Sequence, residues 1–419
     1  MKKTLIALLL IFIFMFSACT DSTPVTTDTA MPDSDSLVSD EITNDDTAQG
    51  VTDEPESETE QPVLSVPKEP VVISFVGMGD NLIHSPIFKQ SLLSNGKYDF
   101  LPKYENVKSV IKNADISFIN QETPMCGESY GYHNYPQFNT PQQMGLDLVT
   151  LGFDVICFAN NHILDQHSKG LEDMLKFTNT LGAVTLGAYE NEDDASQIRV
   201  LEYEGIKISF LAYTYGTNIK PSSSSETVVP LIDEDRITRD VKKAYEVSDF
   251  IIASMHWGKE DRSYLNDQQT YYSQLLADLG VDVILGHHPH VVQPIEWING
   301  KNGNKTLCYY SLGNGINNQD RLRNMVGIMA SFDIVCEENK RPYVENAGCI
   351  PTFSYQTPGY KNTSLYLLSD LTDSMAKKHH CNNKGDTVTV KNAYKQVTDV
   401  IKEEFLPDYL KAGGGEQNG

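Results

Sequence analysis

Between positions 286 and 293 the chain reads Gly-His-His-Pro-His-Val-Val-Gln, placing three imidazoles, His287, His288 and His290, within four residues. Imidazole is the commonest side-chain ligand for transition metals. Pro289 stiffens the backbone between the last two rings. Successive residues of an extended segment face opposite sides, so gathering the imidazoles of this run on one side takes a turn. Other chemistry-bearing residues also follow short apolar runs: Asp80 and Asn81, Glu122, Asn161 and His162, and His256. Each alone reads equally well as turn chemistry. Gathered at one place they form a set of carboxylate, amide and imidazole donors, which suits manganese, iron or zinc. No cysteine joins the set, which argues against a soft-metal site.

Bringing such groups together requires elements that end side by side. Strand-like runs occupy residues 71–76, 115–120, 154–159, 206–213, 250–254, 281–285 and 307–312, and most stop just before one of the residues named above. A late strand is expected over 325–334, at a sheet edge. Helical spacing appears over 168–181, with Ser168 as N-cap, and over 235–247 and 266–279. Strands alternating with helices predict an α/β sheet, and open α/β sheets hold their ligands at the C-terminal ends of the strands.

The segments Gly-Met-Gly-Asp-Asn (77–81), Asn-Gln-Glu-Thr-Pro (120–124), Ala-Asn-Asn-His-Ile-Leu-Asp (159–165), His-Trp-Gly-Lys-Glu (256–260), Gly-His-His-Pro-His-Val-Val-Gln (286–293) and Ser-Leu-Gly-Asn (311–314) resemble the capsule-synthesis CapA family, which is related to calcineurin-like metallophosphoesterases. The resemblance covers about 71–334. It implies a four-layer α/β/β/α sandwich and a role in making or exporting poly-γ-glutamate beside a membrane-bound polyglutamate synthase. It also implies that Asp80, Glu122, Asn161, His256, His288 and His290 hold two divalent cations, with Glu122 in the bridging place. Two cations can hold a hydroxide and polarise a phosphoryl or acyl oxygen. His162, beside Asn161, would then protonate a leaving group.

Around these residues Asp165 reads as an orienting carboxylate or helix cap. Trp257 reads as core or a substrate wall, and Glu260 as a partner for a ligand histidine or a solvated loop charge. Asn314 ends the last motif near the site. His379 and His380 lie in polar surroundings and read as surface residues. The chain departs from the metallophosphoesterase pattern at two places. Asp80-Asn81-Leu82 lacks the histidine of Asp-x-His, leaving His84 as a substitute from the next turn, and Glu122 is one methylene longer than the usual aspartate.

Bulk composition sets limits. A net charge of −24 over 419 residues excludes the basic face that nucleic-acid binding needs, so no nucleic-acid partner is expected. An anionic substrate would need a bound cation to offset that field. Lys2, Lys3, an apolar run over 5–16 and Phe16-Ser17-Ala18-Cys19 predict a lipoprotein signal over 1–19, with Cys19 the lipidated residue. The alternative is a plain secretory signal. Residues 20–69 carry fourteen acidic side chains against the single Lys68, predicting a disordered linker over 20–70. A domain over 71–373 is expected next, then a C-terminal helix and flexible tail over 374–419. Cys157 and Cys308 read as buried thiols, whereas Cys126, Cys349 and Cys381 are disulfide candidates in an exported chain.

Three functions fit. The first is a surface-anchored metal-dependent hydrolase or transferase acting on polyglutamate or another anionic envelope polymer. It would be lipid-anchored to the outer face of a bacterial cell membrane and partnered by the synthase's membrane subunits. The second is a non-catalytic accessory subunit with a structural metal. The third is a secreted metallophosphoesterase.

Overall fold

The computed structural model describes residues 69–411. The expected signal segment, Cys19 and the linker up to residue 68 lie outside the described residues. No helix among the described residues is long and apolar enough to cross a membrane.

Thirteen strands form two sheets among the described residues: β1 (Val71–Asn81), β2 (Ile116–Gln121), β3 (Val155–Cys157), β4 (Val184–Leu186), β5 (Arg199–Tyr203), β6 (Ile206–Thr214), β7 (Phe250–His256), β8 (Val283–His287), β9 (Ile295–Asn299), β10 (Lys305–Tyr309), β11 (Val326–Cys336), β12 (Tyr343–Thr357) and β13 (Lys361–Leu367). One sheet runs β13-β12-β11-β1-β2-β3-β4 and the other β5-β6-β7-β8-β10-β9. Each has a parallel centre, β1 to β4 in one and β6, β7, β8 and β10 in the other, with antiparallel strands outside.

Period-two alternation sorts the apolar residues into layers. Ile116, Phe118, Val155, Ile252, Val283 and Leu285 point between the sheets, where Phe75 stacks on Phe332 with ring centres 4.6 Å apart. Ile119 and Ile156 face outward onto Leu148, Leu171 and Met174 of two helices, Gln143–Leu151 and His167–Thr178. On the other sheet Ile251, Ala253 and Ile284 face Ile237, Val241 and Leu276 of the helices Glu234–Val247 and Asp267–Asp278. The result is the expected order of helices, sheet, sheet, helices.

Local signals place the helix starts. Asp233 accepts from the backbone N–H of Arg236, and Asn266 forms a reciprocal capping box with Gln269. Ser168 is not a cap. The helix begins at His167, and the Ser168 hydroxyl accepts instead from the Ser222 N–H at 2.8 Å.

Three further expectations are corrected. β11 lies between β1 and β12 rather than at an edge, because a long strand, β12, follows it and pairs antiparallel. His379 and His380 are buried, because the segment after residue 373 inserts Ala393, Val397, Ile401 and Phe405 into the inter-sheet core. Cys126, Cys349 and Cys381 form no disulfide and are buried free thiols, as are Cys157, Cys308 and Cys336.

Candidate functional site

The strand ends meet where the sheets join. Asp80, at the end of β1, donates its N–H to the Gly313 carbonyl and accepts from the Gly315 N–H, both at 2.9 Å, so the segment after β10 is sewn to the other sheet. A Cβ on Gly286 would collide with the Tyr310 carbonyl, which is why the histidine motif begins with glycine. His288 and His290 then adopt φ of 97° and 57°. Left-handed backbone is costly for a residue with a Cβ. Here it supplies the turn that aims both rings to one side.

Three groups of side chains each offer ligand atoms within 4.8 Å of one another: Asp80, Glu122 and His290; Glu122, His256 and His288; and Glu260, His288 and His290. Glu122 thus belongs to two groups, its Oε1 lying 3.7 Å from both His256 Nε2 and His290 Nε2. Asn161 joins through its Oδ1, 2.9 Å from His256 Nε2. Asn314 Oδ1 and Asp80 Oδ2 lie 3.0 and 3.1 Å from His290 Nδ1.

Hydrogen-bond accounting tests whether these residues fit a metal. Both carboxylate oxygens of Glu122, together with Nδ1 of His256 and of His288, are buried with no hydrogen-bond partner. Each such group costs about 1–3 kcal/mol left unpaired in a folded interior. Charge points the same way. Burial pushes the Glu122 carboxyl well above its ordinary value, only partly opposed by His290. Burial would also raise Asp80, but the neighbouring His287 and His290 imidazoles outweigh it and hold that carboxylate low. Burial pulls His290 down, yet Glu122 and Asp80 raise it to about 10. His288 falls to about 3 through burial, helped by His290, and burial takes His256 well below its usual range. Two of the imidazoles, His256 and His288, are thus neutral, as ligands must be, and the two carboxylates hold positive charge on His290, where a bound cation would take the proton's place. The donor set fits a divalent cation.

His162 stands apart from the ligand groups. Its Nδ1 lies 2.7 Å from Asp165 Oδ2, whose carboxylate also accepts from the Phe138 N–H at 2.8 Å. The short contact has Nδ1–H donating to Asp165, which leaves Nε2 as the nitrogen for a substrate. Phe138 meets the imidazole edge-on with ring centres 4.9 Å apart. A cavity of about 320 Å³, lined in part by His162, Asp165, Asn161 and Glu260, opens beside the cluster.

Besides His162 and Asp165, two residues named from the sequence are not brought into the ligand groups. His84 Nδ1 accepts from the Asn318 N–H at 3.2 Å and lies 3.1 Å from the Leu82 carbonyl, and burial lowers the ring to about 4. Trp257 is fully buried in the outer helix-facing core and donates its Nε1–H to the Tyr310 carbonyl at 2.9 Å, so it is a packing residue rather than a substrate wall.

Three further residues join the site without a role assigned to them from the sequence. Asn120 donates to Asp80 Oδ1 at 2.8 Å. His287 Nδ1 lies 3.5 Å from the same oxygen. Asn218 donates its N–H to the Asn161 carbonyl at 2.8 Å and lies 3.2 Å from His162 Nδ1. The motifs contain the first two, whereas no pattern surrounds Asn218.

Residues 72–319 match the family model described as bacterial capsule synthesis protein PGA_cap. The PGA biosynthesis protein CapA of Bacillus subtilis (strain 168) is 27% identical over 55% of this chain and 60% of its own length. The capsule biosynthesis protein CapA of Bacillus anthracis is 27% identical over 55% of this chain and 57% of its own. The chain thus spans less than two thirds of these curated relatives. Among solved structures, the Haemophilus influenzae NAD nucleotidase aligns at a TM-score of 0.42 and 11% identity, over 81% of this chain and 65% of that one.

Proposed function

The chain belongs to the bacterial capsule synthesis protein family PGA_cap, and from that premise we propose that it is a surface-anchored, metal-dependent hydrolase or transferase acting on poly-γ-glutamate or a related anionic envelope polymer. The names of the two Bacillus relatives support the polymer. The observation that carries the chemistry is Glu122, a buried carboxylate without a hydrogen-bond partner that belongs to two ligand groups at once.

Asp80, Glu122 and His290 would hold one cation, and Glu122, His256, His288 and Asn161 a second. Manganese, iron or zinc suits these donors. Bound there, such ions supply Lewis acidity and a hydroxide at neutral pH. His162 delivers a proton from Nε2 to the leaving group, while Asp165 fixes its tautomer and orientation. Cys19 carries the lipid that holds the chain to the outer face of the cell membrane, beside the membrane subunits of a polyglutamate synthase. The basic, apolar and small-residue order of positions 2–19 supports this placement.

The test measures metal content and polymer production for wild type, Glu122→Gln and Cys19→Ala. Glu122→Gln is expected to lose metal and polymer together, and Cys19→Ala to leave the membrane fraction. Full metal content in Glu122→Gln overturns the site, and a membrane-bound Cys19→Ala chain overturns the anchor.

One observation favours the rival accessory reading. The position two residues after Asp80 is Leu82, 3% exposed in the core, and His84 makes its contacts elsewhere. The group around Asp80 therefore has one imidazole fewer than the metallophosphoesterase pattern provides. Polymer production that survives His162→Ala but not His288→Ala would decide for a structural metal.

A further inference from the structure

The cavity beside the cluster is rich in acceptors and poor in cations. Its walls include Glu260, Asp165, Asn161, Asn218, Gln137 and the exposed ring of Tyr135, and no lysine or arginine is among its described lining residues. Asp165 is 2% exposed, and its Oδ1 is buried with no hydrogen-bond partner, although Oδ2 is used twice. Glu260, in contrast, is exposed, yet its carboxylate comes within 4.8 Å of ring nitrogens of His288 and His290. An unused buried acceptor, an accessible carboxylate and the Tyr135 ring complement a group that brings several N–H donors and a positive charge.

We propose that this cavity takes a primary ammonium group, the free amino end of an acidic peptide chain, with Glu260 as its counter-ion. The inference rests on the polymer reading above and deepens it, since it says which end of the polymer enters. A phosphate group seated in this cavity would meet the like charge of Glu260, so the cavity itself favours an amine-bearing group over a phosphate. Glu260 is the one exposed member of the three ligand groups, and in this reading it faces the substrate as a specificity residue, while Asp80, Glu122, Asn161, His256, His288 and His290 hold the ions.

The test uses the full chain in detergent, loaded with manganese, and two probes: a γ-glutamyl trimer with a free amino end, and the same trimer N-acetylated. Titration calorimetry is expected to give at least about tenfold tighter binding of the free-amine trimer, a preference worth about 1.4 kcal/mol. Glu260→Gln should abolish that preference by weakening the free-amine trimer alone, with its metal content equal to wild type. Equal binding of the two trimers by wild type overturns the proposal, as does binding of neither. A Glu260→Gln chain that keeps the preference, or that loses metal, overturns it as well. The polymer reading is judged separately, by polymer production in cells carrying Glu122→Gln.

Discussion

His288 with His290 and His379 with His380 are two closely spaced histidine pairs, all four at most 5% exposed. Residue type and burial do not distinguish them, but their partners do. In the C-terminal pair every ring nitrogen is used. His379 Nε2 meets the Ser354 carbonyl at 3.3 Å, and Nδ1 accepts from the Cys381 N–H at 3.2 Å. His380 Nε2 meets Asp320 Oδ1, and Nδ1 accepts from the Gly359 N–H, both at 3.3 Å. Those rings tie the last segment to the sheet. In the other pair His288 Nδ1 has no partner, and Glu122, which shares a ligand group with it, has two buried oxygens that also have none. A buried histidine that is satisfied is a brace, and one left unsatisfied beside an unsatisfied carboxylate is a place for a cation.

The largest expected effect breaks the contrast outright. His288→Ala should lower metal affinity more than about 100-fold, since removing even a group that supports a ligand costs 10–100-fold. Metal analysis after dialysis reads the loss, and full retention would put both pairs in the same class. Next in size is His162→Ala. It should keep its metal and melting temperature yet lose roughly 10²–10⁴-fold in turnover, the range for a positioned proton donor. Metal loss in that variant would mean that His162 belongs to the ligand set.

His379→Ala should do the reverse, with metal content unchanged and stability lowered by about 1–3 kcal/mol as two buried partners lose their hydrogen bonds. Urea unfolding of the metal-loaded chain reads it, and a metal deficit there would erase the distinction. The smallest effect is a pH dependence of that difference. Burial, partly opposed by the Ser354 carbonyl, lowers His379 from 6.5 to about 4. Its unfolded state therefore binds the proton first. The stability that neutral His379 contributes is complete above pH 6.5 and declines as pH falls toward 4, by roughly 3 kcal/mol at most. The gap between wild type and His379→Ala in urea unfolding should narrow over that window. A gap constant from pH 7 to 4 would show that the ring titrates normally.

The sequence by itself determined the alternating α/β order and the positions of most central strands. Successive residues such as Ile251 and Ile252 face opposite layers and so carry the layer assignment in their spacing, and strand-end motifs mark one rim as chemical. It also presented Asp80, Glu122, Asn161, His256, His288 and His290 as donors, because each follows a short apolar run of the kind that forms a buried strand. Only the tertiary structure decided which donors share an ion. That depends on distances between two sheets and on the left-handed turns at His288 and His290, which no spacing rule encodes. It alone separated Trp257 as packing from Glu260 as cavity wall, although both lie in one five-residue motif. It alone buried His379 and His380, since a polar local context does not reveal that Val397, Ile401 and Phe405 will carry that segment into the core. Local pattern reports which face of an element is apolar, whereas burial and partners depend on what arrives from elsewhere in the chain.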